Sequence, residues 1–116
     1  MDKLTFTQDI CEGIAVFHLC GSIDHHTVKN VRDEIDRNIY RFRPREVVLD
    51  LNDVEFMDSS GLGLILGRYT RISDLGGALT LVGMSDEVMK IIRLSGADSF
   101  IRCEKKSEKE RMIKNA

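Results

Sequence analysis

A single α/β domain, with a mixed sheet of four to five strands covered by about four helices, is the fold class this sequence predicts. Three observations carry that expectation. Two β-branched and aromatic runs flank Glu12 and Gly13 near the start, helical and strand periodicities alternate after them, and 116 residues at 42% hydrophobic content are enough for one core. A hairpin followed by alternating helices and strands implies right-handed crossovers, with helices on at least one face of the sheet. No internal repeat or low-complexity linker divides the chain, so residues 1–116 read as one domain.

The hairpin is expected from strands around Leu4 to Asp9 and Ile14 to Cys20, with Glu12 and Gly13 suited to the turn. In the second run Ile14, Val16, His18 and Cys20 share one face and Ala15, Phe17 and Leu19 the other; neither face is clearly wet, which suggests an interior strand. From Thr27 onward Val28, Val31, Ile35, Ile39 and Phe42 recur at helical spacing among charged residues, the pattern of an amphipathic surface helix. The only proline, Pro44, and its arginine neighbours break that pattern before EVVLDL, residues 46–51, a short buried strand. The next helix should begin near Ser60 and stop near Gly76 and Gly77, and Ala78 to Val82 reads as another buried strand. Ser85 with Glu87 suits a helix start, Val88, Ile91 and Ile92 its apolar side, and Gly96 its end. Phe100 to Cys103 suggests a short edge strand. Residues 103–116 then form a strongly charged tail, frayed or ending in a short final helix held only by Met112 and Ile113.

Composition excludes several function classes. Seventeen basic and nineteen acidic residues give a formal charge of −2, which supplies no bulk field for nucleic acid or an anionic membrane, so a partner must be recognised by a patch. No apolar run approaches a membrane span and MDKLTFTQDI lacks the layout of a secretion signal, so the expected location is cytoplasmic. Cys11, Cys20 and Cys103 include no CxxC pair and read as packing residues or free thiols rather than a disulfide framework or zinc site. His25 and His26 are adjacent, diverge on either a helix or a strand, and are not expected to chelate a metal alone. No cofactor is expected.

The most informative stretch is Phe56 to Tyr69, FMDSSGLGLILGRY, where an acidic residue, two hydroxyls and a glycine sit at a strand-to-helix junction. A hydroxyl at a helix start meets unpaired backbone N–H groups and the positive end of the helix dipole, so an added phosphate is locally tolerated there. Wound at helical pitch, Leu62, Ile65, Leu66, Tyr69 and Ile72 group as a core face, leaving Ser60, Gly63, Leu64, Gly67, Arg68 and Arg71 opposite. Two glycines inside a helix each cost on the order of 1 kcal/mol relative to alanine. The expected compensation is an exposed stripe on which a partner comes close, with Leu64 as an apolar contact and the arginines as ion-pairing groups; the alternative is close packing of the glycines on the sheet. Upstream, GSIDHH, residues 21–26, should form the loop from the second strand to the first helix, at the same sheet end as Ser59. There Asp24 is either a binding residue or the helix cap.

With GSIDHH and FMDSSGLGLILGRY together, the sequence closely resembles the anti-sigma factor antagonists of bacterial sporulation, members of the STAS domain family. The resemblance covers almost the whole chain; DSSGLG marks the wider family, while DHHT and ILGRY point to the sporulation branch. It implies a small α/β fold and a cycle with an ATP- or ADP-bound partner that is both anti-sigma factor and serine kinase. The unphosphorylated antagonist binds that partner and the sigma factor is released. The motif makes Ser59 the kinase target, although Ser60 lies in the same first turn, and a serine/threonine phosphatase of the metal-dependent class restores the hydroxyl. With the loop and helix readings above, the expected partner-binding set is Asp24, His25, Asp58, Ser59, Ser60, Gly61, Leu62, Gly63, Leu64, Gly67 and Arg68, on a monomer or weak dimer. The competing reading is a STAS module of another stress-signalling or ligand-sensing pathway.

Enzyme readings carry less. Gly61, Gly63 and Gly67 are spaced GxGxxxG, not as a dinucleotide fingerprint, and MDSSG lacks the first glycine of a nucleophile elbow, with His18, His25 and His26 all preceding it.

Overall fold

The computed structural model describes residues 3–106, which form strands β1 (Leu4–Cys11), β2 (Ile14–Ile23), β3 (Glu46–Met57), β4 (Ala78–Met84) and β5 (Arg102–Lys105) and helices α1 (Val28–Phe42), α2 (Ser59–Asp74) and α3 (Asp86–Ser95), with a 3₁₀ turn at Ala97–Ser99. The strands lie in one sheet in the order β1-β2-β3-β4-β5. β1 pairs antiparallel with β2, and every later pair is parallel, joined through a helix as parallel neighbours require. The mixed sheet and the interior position of β2 are as the sequence predicts. Among the described residues three helices and the 3₁₀ turn stand where about four helices were expected; the final helix of the tail falls outside them. The tail itself starts later than expected, because Cys103, Glu104 and Lys105 belong to β5.

The helices contact one another in sequence and pack on one face of the sheet. The core forms between the two layers. Ala15, Phe17 and Leu19 of β2, Val47, Leu49 and Leu51 of β3, and Leu79 and Leu81 of β4 meet Val31, Ile35 and Ile39 of α1, Ile65 and Ile72 of α2, and Val88 and Ile92 of α3, all buried. The opposite face of the sheet is the open one, so the alternation of β2 is apolar-in and half-exposed out, with Val16 and His18 on the outer side. No helix among the described residues is long and apolar enough to cross a membrane. Cys11, Cys20 and Cys103 are free thiols, the first two exposed.

β3 runs six residues beyond the expected EVVLDL, pairing with β2 as far as Ile23 across two irregularities, between His18 and Cys20 and between Gly21 and Ser22. Each irregularity inserts one extra β3 residue, which shifts the buried phase from Leu49 and Leu51 to Val54 and Met57.

On the open face His18 links three strands. Its Nδ1 lies 2.7 Å from Asp50 Oδ2 of β3 and its Nε2 3.0 Å from Asp9 Oδ2 of β1. Ionised carboxylates only accept, so the two contacts favour the imidazolium cation, which donates from both ring nitrogens. The hydrogen bond to Asp50, then that to Asp9, raises the His18 pKa against the opposing effect of burial. A raised folded-state pKa contributes stability fully below the unfolded value of about 6.5 and loses it as pH rises through the folded value. Denaturant midpoints should therefore fall between about pH 6 and pH 8 in the wild type, and His18→Gln should flatten that slope. Equal slopes in the two proteins would contradict the cation assignment.

Candidate functional site

The parallel pairing of β2 and β3 brings the ends of both strands together, with Ile23 opposite Met57. The Asp58 backbone N–H then donates to the Ile23 carbonyl at 3.1 Å, which ties the β2–α1 loop to the β3–α2 junction. Asp24 and Asp58 thus follow directly from paired residues at one end of the sheet, as the sequence implied, but Gly21, Ser22 and Ile23, expected in the loop, pair with β3 as the end of β2.

The β2–α1 loop is fixed by its own polar groups. The Asp24 carboxylate accepts from the N–H groups of His26 (2.8 Å) and Thr27 (3.0 Å). The buried Thr27 hydroxyl donates to the Ser22 carbonyl at 2.7 Å and accepts from the Asp24 N–H at 3.0 Å. These bonds, that from Thr27 foremost, lower the Asp24 pKa, so the carboxylate stays ionised. The N-cap of α1 is Thr27, which makes no side-chain cap bond, so Asp24 is not the helix cap; it orders the loop just before that cap and remains partly exposed. Gly21, in β2 opposite Leu4, stands at φ +119°, and a Cβ there would collide with the Lys3 backbone carbonyl, so only glycine admits the start of β1 alongside β2 at this point. His25 and His26 are exposed with ring centroids 3.9 Å apart. Among the described residues no group of three or more His, Cys, Asp or Glu is placed to hold a metal.

At the junction Asp58 is the N-cap of α2: its backbone is extended and its side chain accepts from the Ser60 N–H at 2.7 Å. Ser59 is the first helical residue, one earlier than the sequence suggested, and it is exposed; Ser60 is only half-exposed. Gly61 is buried, and a Cβ on it would overlap the Met57 side chain, so the helix start sits flush on the end of β3. Leu62 is half-buried.

Two members of the expected outward stripe are not outward. Leu64 and Arg68 are each only 2% exposed, and the core face of α2 is Gly61, Leu64, Ile65, Arg68 and Ile72. Arg68 turns inward because Asp36 of α1 receives it, Nε to Oδ1 at 2.7 Å and Nη2 to Oδ2 at 3.2 Å. Burial lowers the Arg68 pKa and the Asp36 charge opposes that. Arg71, exposed, also pairs with Asp36 at 3.0 Å. Gly63 and Gly67 do face outward, since an added Cβ at either meets nothing within 4 Å; close packing on the sheet is not their reason. With Ser59 they stand four residues apart on one side of α2. Phe56, 53% exposed two residues before Asp58, was absent from the expected set; the shifted phase of β3 turns it outward, and no alternation in the sequence announces that shift.

Known proteins share this fold. The STAS domain model matches residues 6–110. An anti-sigma F factor antagonist of Paenibacillus polymyxa is 40% identical over 84 residues, 72% of each chain. The structure of the anti-sigma factor antagonist SpoIIAA in its unphosphorylated form matches with a TM-score of 0.76 at 28% identity, over 93% of each chain. The Bacillus cell fate determinant SpoIIAA in the phosphorylated form matches with a TM-score of 0.70 at 26% identity, over 97% of this chain and 100% of that one. With the family model spanning nearly all described strands and helices, and a relative this similar over most of its length, the chain belongs to the STAS domain family, among the anti-sigma factor antagonists.

Proposed function

We propose that this protein is an anti-sigma factor antagonist of the sporulation type, switched by phosphorylation of Ser59. Unphosphorylated, it binds an anti-sigma factor that is also a nucleotide-bound serine kinase, and the sigma factor is released; the kinase modifies Ser59 and the complex dissociates; a metal-dependent phosphatase restores the hydroxyl. The observation that carries this reading is the exposed Ser59 hydroxyl at the first position of α2, beside a rigid Asp58 cap.

The surface for the partner comprises Asp24 and His25 of the first loop, Phe56, and Ser59, Ser60, Gly63 and Gly67 of α2. Leu64, Arg68 and Gly61 support it from beneath. Phosphate adds about 1.5 to 2 negative charges at pH 7. Placed against nucleotide phosphates or kinase carboxylates in a partly dry interface, that charge costs several kcal/mol, and about 1.4 kcal/mol already weakens binding tenfold. The helix N-terminus tolerates the same charge within the domain, so the block is local and the backbone is retained. The likeness of this fold to both forms of SpoIIAA supports a switch without refolding.

The test is intact mass of wild type and Ser59→Ala after incubation with a sporulation-type anti-sigma kinase and ATP, followed by gel filtration. One phosphate on the wild type, none on Ser59→Ala, and co-elution of only the unphosphorylated protein are expected. A phosphate retained on Ser59→Ala would move the acceptor to Ser60. No phosphate and no co-elution would leave a STAS module of another pathway.

A further inference from the structure

The end of the domain opposite Ser59 carries a second charged surface. β3 starts at Glu46 and ends at Met57, one residue before the Asp58 cap, so its twelve residues separate the two ends by roughly 35–40 Å at about 3.3 Å per residue. At the far end the last turn of α1 presents Arg37, Tyr40 and Arg41 on one side, and the chain continues through Phe42, Arg43 and Arg45, all exposed. Tyr40 is 48% and Phe42 45% exposed, and the Arg41 guanidinium lies 5.2 Å from the Phe42 ring centroid. The Arg45 N–H donates to the Gly13 carbonyl at 2.9 Å, and its guanidinium lies where a Cβ on Gly13 would stand, across the β1–β2 turn.

These arginines are unlike several others in the chain. Arg32, Arg68, Arg71 and Arg102 each pair with a carboxylate, whereas among the described residues Arg37, Arg41, Arg43 and Arg45 take part in no ion pair. Arg41 suits the negative end of the α1 dipole, but Arg43 and Arg45 lie beyond the helix. Arg43 also sits in the left-handed region, φ +45°, capping α1 through its N–H to the Ile39 carbonyl. That position favours glycine or asparagine, so arginine there is locally strained, and such strain points to a function elsewhere.

We propose that this surface docks an acidic segment of a partner protein while the Ser59 end remains free for the kinase. Residues 37–45 contain four arginines and no lysine. Guanidinium groups meet carboxylates two bonds at a time and stack on rings, and arginine with exposed aromatics is the composition of a protein-interface centre. A membrane or nucleic acid would draw on a broader positive field, which a net charge of −2 does not supply.

The experiment titrates the full chain into a fluorescein-labelled decapeptide of alternating glutamate and alanine and reads anisotropy at low and raised salt. Wild type should bind, more weakly as salt rises. Arg41→Gln with Arg45→Gln should lose about tenfold in affinity. Arg43→Gly should also bind more weakly while melting at or above the wild-type temperature, which separates loss of the side chain from loss of the fold. Ser59→Asp should bind as wild type, since it lies at the other end. Equal binding by wild type and the double variant overturns the proposal, as does tighter capture by a DNA duplex or phosphatidylglycerol vesicles than by the peptide. None of these results bears on whether Ser59 is phosphorylated, so the two readings fail separately.

Discussion

Asp36→Ala is expected to lower the free energy of unfolding by about 3–5 kcal/mol, although it removes a residue on the exposed helix α1. The reason lies on α2. Arg68 is 2% exposed on the core face of that helix, with its guanidinium against a single carboxylate. Its Nε stands 2.7 Å from Asp36 Oδ1, yet neither Nε nor Nη1 makes a well-aligned hydrogen bond among the described residues. The cation therefore depends on the Asp36 charge more than on a hydrogen-bond network. Without that charge it stays buried and uncompensated or drags α2 outward, and either costs several kcal/mol. Arg71→Ala should cost less than about 1 kcal/mol, because that partner is 43% exposed and screened. Asp36→Leu combined with Arg68→Met removes both charges and should recover most of the loss. Guanidinium denaturation followed by circular dichroism decides it. An Asp36→Ala variant within about 1 kcal/mol of wild type would show that the pair contributes no more than a surface ion pair.

The same pair explains where sequence reasoning turned α2 the wrong way. Two candidate stripes share Ile65 and Ile72: one adds Leu62, Leu66 and Tyr69, the other Gly61, Leu64 and Arg68. Apolar periodicity favours the first, because burying an arginine is costly unless a partner waits for it. That partner, Asp36, lies 32 positions away, and local pattern carries no trace of the pairing. β3 shows a second limit of the same kind. Its first six residues alternate cleanly and were legible; the two irregularities against β2 depend on the neighbouring strand, so the extension to Met57 and the outward turn of Phe56 were not. What was legible rests on local chemistry or on topology. Ser85 accepts from Val88 N–H and Gly96 takes the left-handed cap, so α3 starts and stops where its residues indicate. Parallel strands put their following loops at one end of the sheet, and the meeting of Asp24 with Asp58 and Ser59 follows from that alone.

Gly67→Trp should weaken binding to the anti-sigma kinase on the order of a hundredfold, or about 2.7 kcal/mol, without loosening the fold. Gly63 and Gly67 lie in the interior of a 16-residue helix, where each costs roughly 1 kcal/mol relative to alanine, and a Cβ on either meets nothing within 4 Å. Neither backbone strain nor packing accounts for them, since neither has a positive φ. Gly63→Ala and Gly67→Ala should therefore each raise the stability of the free domain by about 1 kcal/mol. A cost retained by the free protein and removable without clash is best explained by what the bound state requires. Gly63 and Gly67 follow Ser59 along one side of α2, and under the proposed function a smooth helix surface there would let the kinase backbone approach closely. A tryptophan side chain in that contact displaces the partner outright, whereas alanine leaves it nearly in place. Calorimetric titration of the kinase with wild type, Gly67→Ala and Gly67→Trp, alongside thermal melts of each, separates the two effects. Wild-type affinity in Gly67→Trp would move the interface to the β2–α1 loop and the Phe56 side of Ser59, and would leave the glycines of α2 without a role in binding.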